Sequence, residues 1–534
     1  MKNAKKWLAL ALAMVMVLAM AVSAVAATVT VPSDGILKDH TFTAYQIFKG
    51  DESEGILSNV IWGSGINSDA FLAALKADTT YGSLFTDCTD AAAVAKVLGD
   101  NNTNNALANA VAKLAYANKS GEGTGLTSGE HTLEGGYYLV VDTTASVGAG
   151  SAYNTALLQV VGNINITVKT DAPTVEKKVL EDDKHNQDDG YGTGYNDVAD
   201  YNMGDAVPFH LIGSVPDMSR YDTYKYIFHD TLSTGLTLNE DSIKVYVASD
   251  KAGTDKTGIA GWTKAVNGQS FTVSFTDLKT VSGVSQGKYI IVEYTATLNQ
   301  NAVVGLDGNP NVVYLEYSNK PDQSGSGDTD NTGNTPDDKV IVFTYELDTT
   351  KVDGQDNTKK LTGAEFVLYR KVNDENEYAV VNSQNKVTSW SKATNAGETV
   401  TYPEGSTLTS DANGLFKVIG LDDGTYYLKE TKAPAGYNML TNDITVVITA
   451  TTTNGQTWTD GQASSALTNL AVTADGTAGT GDTSTGIAGI TVANNKGSTL
   501  PETGGMGTTV LYVGGGALVL LAVALLIAKR RTKA

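Results

Sequence analysis

Cysteine is almost missing from this chain: its 534 residues include one, Cys88. No internal disulfide can form, so either something else braces the strands or nothing does. Histidine is also scarce, with five scattered residues, which leaves little from which to build a Cys-His catalyst or a His-rich metal site. The chain lacks an HExxH zinc motif, a GxSxG nucleophile elbow and a P-loop with its lysine. Asp and Glu are plentiful, but nothing singles out a catalytic pair. Positive charge is short: 38 Lys and Arg against 59 Asp and Glu give a net charge of −21. Seven cations sit at the two ends (Lys2, Lys5, Lys6, Lys529, Arg530, Arg531, Lys533) with no acid beside them. Without those ends the body carries −21 − 7 = −28, a surface that repels nucleic acid and anionic lipid.

The length corresponds to roughly three or four domains. Abundant Gly (55 residues), Thr and Asn favour many short strands joined by turns.

The two ends fix the topology. Met1-Lys-Asn-Ala-Lys-Lys6, an apolar run from Trp7 to Val22, and Ala24-Val-Ala26 read as a secretory signal cleaved after Ala26, the alternative being a retained signal anchor. At the other end an apolar stretch runs from Val510 to Ala528, 19 residues, before Lys529-Arg-Arg-Thr-Lys-Ala534. As a helix it would span about 29 Å, close to a bilayer core, with the cationic tail held in the cytoplasm. Ahead of it stand Leu500, Pro501, Glu502, Thr503 and Gly504. This pentapeptide is similar to the LPxTG cell-wall sorting signal, and motif, apolar span and basic tail follow in that signal's order. The resemblance implies that a sortase cysteine attacks the Thr503–Gly504 bond and passes the Thr carboxyl to an amine. Pro501 keeps the segment extended, and Gly504 and Gly505 let a cleft reach the scissile bond.

Between the ends, residues 27–170 mix strands with the chain's clear helical patterns. Asn104–Asn118 sets Leu107, Val111 and Leu114 on one face, and Asp69–Lys76 and Asp90–Leu98 are shorter candidates. Residues 171–322 read almost wholly as strands, 323–338 as a Gly/Ser/Asp-rich linker, and 339–497 as a second strand-rich region, followed by the sorting segment 498–534. The first and third regions resemble each other: Thr41–Phe48 parallels Gly363–Arg370, and Gly135–Leu139 parallels Asp423–Leu428.

Strand alternation aims several polar residues inward. Lys351 shares a face with Ile341, Phe343, Tyr345 and Leu347; Glu430 with Tyr426 and Leu428; Asn494 with Ile490 and Val492. Burying a lone Lys or Glu costs several kcal/mol unless it is paired or neutralised. A dry site lowers an amine pKa and raises a carboxyl pKa, which sets a neutral nucleophile beside a proton donor. Such an amine can attack an Asn side chain, release ammonia and leave a Lys–Asn isopeptide bond. The bland alternative is three solvated residues at strand ends.

Tyr427-Leu-Lys-Glu-Thr-Lys-Ala-Pro-Ala-Gly-Tyr437 resembles the E-box of Gram-positive pilins, and Lys351-Val-Asp353 and Val492-Ala-Asn494 stand where CnaB-type domains keep their crosslinking residues. The resemblance implies a Lys351–Asn494 bond closed by Glu430. In the middle region Lys177, Asp230 and Asn319 lie on apolar faces and are similar in placement to the Lys, Asp and Asn of backbone pilins; Lys178 is a close rival to Lys177, and ordinary surface charges are the alternative. The first region has no Glu in Tyr137-Tyr-Leu-Val-Val-Asp142 and no matching Lys before Thr41, so no crosslink is expected there.

The resemblance to sortase-assembled major pilins covers nearly the whole chain. It implies mainly β architecture: tandem immunoglobulin-like (CnaA/CnaB-type) β-sandwiches, the first with inserted helices. It also implies a polymerisation lysine at the end of the first domain. Lys169 holds that position, although Ile166-Thr-Val-Lys169-Thr-Asp-Ala-Pro lacks the family's Tyr-Pro-Lys-Asn motif. The implied partners are pilus-specific and wall-anchoring sortases, identical subunits in a covalent homopolymer, peptidoglycan, minor pilins and a host surface ligand. No cofactor and no metal are expected, and no enzyme activity beyond single-turnover self-crosslinking. The alternative reading is a monomeric LPxTG wall-anchored adhesin on an isopeptide-braced stalk.

Overall fold

The computed structural model describes residues 27–34, 37, 39–53, 56–153, 155–160, 164–166, 172–182, 190–321, 332–396, 399–453, 466–497 and 506–531. The signal segment 1–26, Lys169 and the pentapeptide 500–504 lie outside the described residues.

The first region is layered, with one small sheet on one face of a second sheet and a helical insert on the other. A three-stranded sheet runs Gly129–Leu133, Ala27–Val31, Ile164–Asn165, and a second runs Ile56–Trp62, Phe42–Ser53, Gly136–Asp142, Thr155–Val160. Helices Ser68–Ala77, Ala91–Asp100 and Asn105–Ala117 begin where Asn67, Asp90 and Asn104 each accept a backbone N–H three residues on, which satisfies an otherwise orphaned donor. Leu107, Val111, Ala112 and Ala115 form the buried face of the last helix, and Leu114 packs at its margin.

The second region is a sandwich of two mostly antiparallel sheets. One runs Tyr195–Asn196, Val175–Leu180, Ala206–Ser214, Tyr289–Leu298, Lys244–Ala248, Thr257–Gly258; the other runs Val198–Asp200, Asp338–Phe343, Asn309–Ser318, Tyr226–Leu232, Ser270–Phe275, Thr263–Asn267. The strand Asp338–Phe343 therefore completes this sandwich, so the boundary expected at 339 moves to Thr344. The expected linker 323–338 is also partly sheet: Thr332–Asn334 pairs with Asn309–Ser318. Composition pointed to a linker there; backbone pairing, which polar residues support equally well, decides otherwise.

The third sandwich begins at once with Tyr345–Asp353. This strand lies parallel to the domain's last strand, Ile487–Asn494, opposite a sheet containing Glu365–Val372, Gly424–Lys432, Ile444–Thr452 and Leu467–Ala474. One core of buried side chains is continuous through the second and third sandwiches. Their junction is close-fitted: Met203 N–H donates to Gly420 O at 2.9 Å, and Tyr426 OH donates to Asn202 Oδ1 at 2.9 Å. Gly420 has φ +96°, and a Cβ there would meet Met203 at 2.4 Å, so glycine is required. The repeat seen in sequence has a counterpart in pairing. Phe42–Ser53 pairs antiparallel with Gly136–Asp142 in the first region, as Glu365–Val372 does with Gly424–Lys432 in the third.

At the C-terminus Met506–Arg531 forms one helix, about 39 Å long at 1.5 Å per residue. It exposes Leu511, Val513, Leu518, Leu520 and Leu526, among others. Among the described residues no helix is long and apolar enough to cross a membrane; in this helix the side chains of 506–510, 528, 530 and 531 are outside that description.

Candidate functional site

Two sealed polar constellations stand out, one in each of the last two sandwiches. In the third, Lys351 lies on Tyr345–Asp353 in register with Val492 of the parallel neighbour. Its face points into the sandwich, so its ammonium is enclosed at 0% exposure. Lys351 Nζ donates to Asn494 Oδ1 and to Val492 O at 3.2 Å. Glu430 comes from the opposite sheet. Asn494 Nδ2 donates to both of its carboxylate oxygens at 2.9 Å and to Asn438 O at 2.8 Å. Leu440 N–H holds Glu430 Oε2 at 2.8 Å. Burial lowers the Lys351 pKa to about 8, against the pull of Glu430. The amine, the amide and the acid thus touch in series, with the acid on the amide nitrogen that would leave.

In the second sandwich Lys177, fully buried on Val175–Leu180, donates from Nζ to Asp230 Oδ2, to Asn311 Oδ1 at 2.7 Å and to Tyr294 OH at 3.0 Å. The rings of Phe209 and Tyr294 lie 5.6 and 5.5 Å from the amine. Burial lowers the Lys177 pKa to about 8, opposed by Asp230 and Asp338. Burial likewise raises that of Asp230, opposed by Lys177. Tyr294 OH donates to Asp230 Oδ2 at 3.1 Å and accepts from Asn311 Nδ2 at 2.7 Å.

The structure brings Lys177 and Asp230 together as expected, but it leaves Asn319 elsewhere. Asn311 and Asn319 have the same parity on one strand, and eight residues of strand separate them by roughly 26 Å. Cross-strand register places Asn311 opposite Leu232, two residues past Asp230. Asn319 is buried at the junction with the first region, where its backbone carbonyl accepts from Tyr153 N–H at 2.8 Å. The candidate amide of this site is therefore Asn311. Lys178 points to the other side of its strand and donates to Asp197 Oδ1 at 2.6 Å, which leaves Lys177 as the inward amine. Tyr294 was missed as well. Its alternation with Val292 and Ala296 marks it as inward, but only register shows that it meets the lysine.

The first region holds neither constellation. At the position corresponding to Glu430 it has Val141, and its buried polar pair is His40 Nδ1 with Asp142 Oδ2 at 2.7 Å. Asp142 Oδ1 accepts from Thr144 Oγ1 at 2.6 Å.

Comparison with known proteins matches three segments, which take in Asp230, Tyr294, Asn311, Lys351 and Glu430 but not Lys177. Residues 203–321 match the Gram-positive pilin backbone subunit 2, Cna-B-like domain. Residues 345–462 match a prealbumin-like fold domain, and residues 492–534 match the LPXTG cell wall anchor motif. A trypsin-resistant surface T6 protein of Streptococcus pyogenes serotype M6 is 28% identical over 266 residues, 46% of this chain. That match spans 42% of the relative's length. The solved three-domain T6 backbone pilin of serotype M6 Streptococcus pyogenes has a TM-score of 0.51 at 17% identity, covering 89% of this chain and 99% of the pilin; this likeness shows a shared fold. The full-length major pilin SpaD of Corynebacterium diphtheriae gives a TM-score of 0.45 at 15% identity, covering 88% of this chain and 97% of that one.

Proposed function

We propose that this chain, whose residues 203–321 match a Gram-positive pilin backbone domain and whose residues 492–534 match an LPXTG anchor, is the shaft subunit of a covalently polymerised, sortase-assembled pilus anchored to the cell wall. The observation that carries this reading is the pair of sealed lysine–asparagine–acid constellations in a chain whose sequence ends with a sorting signal. Each becomes a self-made covalent brace. In the third sandwich the neutral Lys351 amine attacks Asn494 Cγ, the bond to Nδ2 breaks as that nitrogen takes a proton from Glu430 and leaves as ammonia, and Nζ gives its extra proton to the Glu430 carboxylate. In the second, Lys177 attacks Asn311 with Asp230 as the acid. Burial lowers the pKa of both lysine amines and raises that of Asp230, the direction the step needs.

A sortase would cut between Thr503 and Gly504 and pass the acyl group to a lysine of the next subunit, and to wall peptidoglycan at the base. Lys169 is the lysine we assign to polymerisation, on its position between the first and second regions. Identical subunits, pilus-specific and wall-anchoring sortases and peptidoglycan are then the partners; minor pilins and a host surface ligand would complete the fibre. The protein is structural, turning over once on itself.

The test is a surface extract from cells expressing the chain with its sortase. A ladder of covalent multimers that collapses to monomer in Lys169→Ala supports the proposal. A monomer alone in the unmodified chain would favour the wall-anchored adhesin, and a ladder unchanged by Lys169→Ala would overturn the assigned lysine.

A further inference from the structure

We infer that Tyr294 is a catalytic residue of bond closure in the second sandwich, carrying the proton between Asp230 and the departing nitrogen of Asn311. The inference rests on the crosslinking reading of that site. It starts from a gap. In the third sandwich both oxygens of Glu430 reach Asn494 Nδ2 at 2.9 Å, so the acid can protonate the leaving nitrogen directly. The second sandwich has an aspartate, one methylene shorter, and among the described residues Asp230 makes no hydrogen bond to Asn311. The phenol of Tyr294 fills the space between them, donating to Asp230 Oδ2 at 3.1 Å and receiving Asn311 Nδ2 at 2.7 Å.

The phenol is also fixed in place. Tyr294 is buried, with its ring stacked on Phe209 at 5.3 Å and edge-on to Phe271 at 4.9 Å. Its strand, Tyr289–Leu298, pairs along its length with Ala206–Ser214, which in turn pairs with the strand bearing Lys177. All three polar neighbours of the phenol oxygen are reacting groups: the nucleophile, the acid and the leaving amide. A phenol both gives and takes a proton, which is the property a relay requires.

The step balances as follows. The lone pair of Lys177 Nζ forms a bond to Asn311 Cγ, and the carbonyl electrons move onto Oδ1. As the carbonyl re-forms, the Cγ–Nδ2 bond breaks. Nδ2 takes the Tyr294 hydroxyl proton and leaves as ammonia, and the Tyr294 oxygen takes the proton of Asp230. Nζ then gives up its extra proton to the Asp230 carboxylate, so the acid and the phenol end as they began. No oxidant or cofactor enters.

The test uses the exported chain, residues 27–503, recovered unfolded and then refolded, with intact mass and crosslinked peptides followed over time. In Tyr294→Phe the Lys177–Asn311 peptide should form about a hundredfold more slowly, the usual scale for losing a proton-transfer partner. The Lys351–Asn494 peptide of the same molecules should form at its normal rate. A second-sandwich bond formed at the unmodified rate would overturn the relay. If Tyr294→Phe leaves the second sandwich unfolded, refolding of the unmodified chain in heavy water decides. A larger solvent isotope effect on the Lys177–Asn311 bond than on the Lys351–Asn494 bond supports transfer through an intervening hydroxyl, and equal effects overturn it. Absence of any Lys177–Asn311 peptide from the unmodified chain would instead remove the crosslinking reading of the site, and the relay with it.

Discussion

The second and third sandwiches solve one problem in two ways. Each buries a lysine amine against an asparagine amide, and each supplies a carboxyl group from another strand. The third uses a glutamate long enough to hold the amide nitrogen itself. The second uses an aspartate that reaches the lysine, with Tyr294 between acid and amide. The two differ mechanically as well. Lys351 and Asn494 lie on the first and last strands of their domain, side by side and parallel. Lys177 lies on a first strand, but Asn311 lies on Asn309–Ser318, and Thr332–Asn334 and Asp338–Phe343 both follow outside the tie. On the proposed crosslinking, the chemistry tolerates a change of acid, while the position of the tie decides how much of the domain lies in the path of tension.

Breaking either tie should have the largest effect. Loop-closure entropy for a crosslink spanning more than about a hundred residues is worth on the order of 5 kcal/mol in the disulfide analogy. The spans here are 494 − 351 = 143 and 311 − 177 = 134 residues. Glu430→Ala should cost the chain one ammonia loss, destabilise the third sandwich by about that amount in denaturant, and leave the Lys177–Asn311 peptide intact. Retention of both ammonia losses would contradict the role of Glu430.

Stretching single molecules sharpens the comparison next. With both ties present, the third sandwich should not lengthen. The second should release the 337 − 311 = 26 residues between Asn311 and Asp338, roughly 90 Å at about 3.4 Å per residue. An equal response from the two sandwiches would show that tie position does not govern extension.

A paired substitution tests the amide assignment. Asn311→Ala should remove the second-sandwich bond, whereas Asn319→Ala should leave both ammonia losses in place. The reverse pattern would restore Asn319.

The pH dependence of closure follows from proton counting. A neutral amine beside a protonated acid holds as many protons as the ion pair does, so the rate is flat while the site keeps that proton. It should fall above about 8, where the buried lysine gives its proton up. A rate that climbs through that pH would mean attack by the bare amine without an acid.

The smallest effect belongs to the first region, where a hydrogen-bonded pair stands in place of a tie. His40→Ala leaves Asp142 with fewer partners, at about 1–3 kcal/mol for a buried group. The melting temperature of the first region should drop with no change in ammonia loss.

Much of this arrangement was legible in the sequence because strand alternation is a strong constraint. Asp230, Lys351, Glu430 and Asn494 each share parity with apolar neighbours, so their inward direction could be read residue by residue, whereas Lys177 had Lys178 as a rival until the structure turned Lys178 to Asp197. Alternation says nothing about position along a strand, however. Asn309, Asn311 and Asn319 are all of one parity, and only pairing of Asn309–Ser318 with Tyr226–Leu232 selects Asn311. Tyr294 was hidden for the same reason, as one inward tyrosine among 25 tyrosines in the chain. The boundary at Thr344 was obscured because alternation passes almost unbroken from Asp338 to Asp353, with one buried threonine, its hydroxyl bonded to Leu421 O at 3.1 Å, between two sandwiches.

The most direct test of the account is the intact mass of the exported chain, 27–503, followed by sequencing of its crosslinked peptides. The account predicts a mass short by two ammonia molecules, with Lys177 joined to Asn311 and Lys351 to Asn494. A mass equal to that of the unmodified sequence would contradict it.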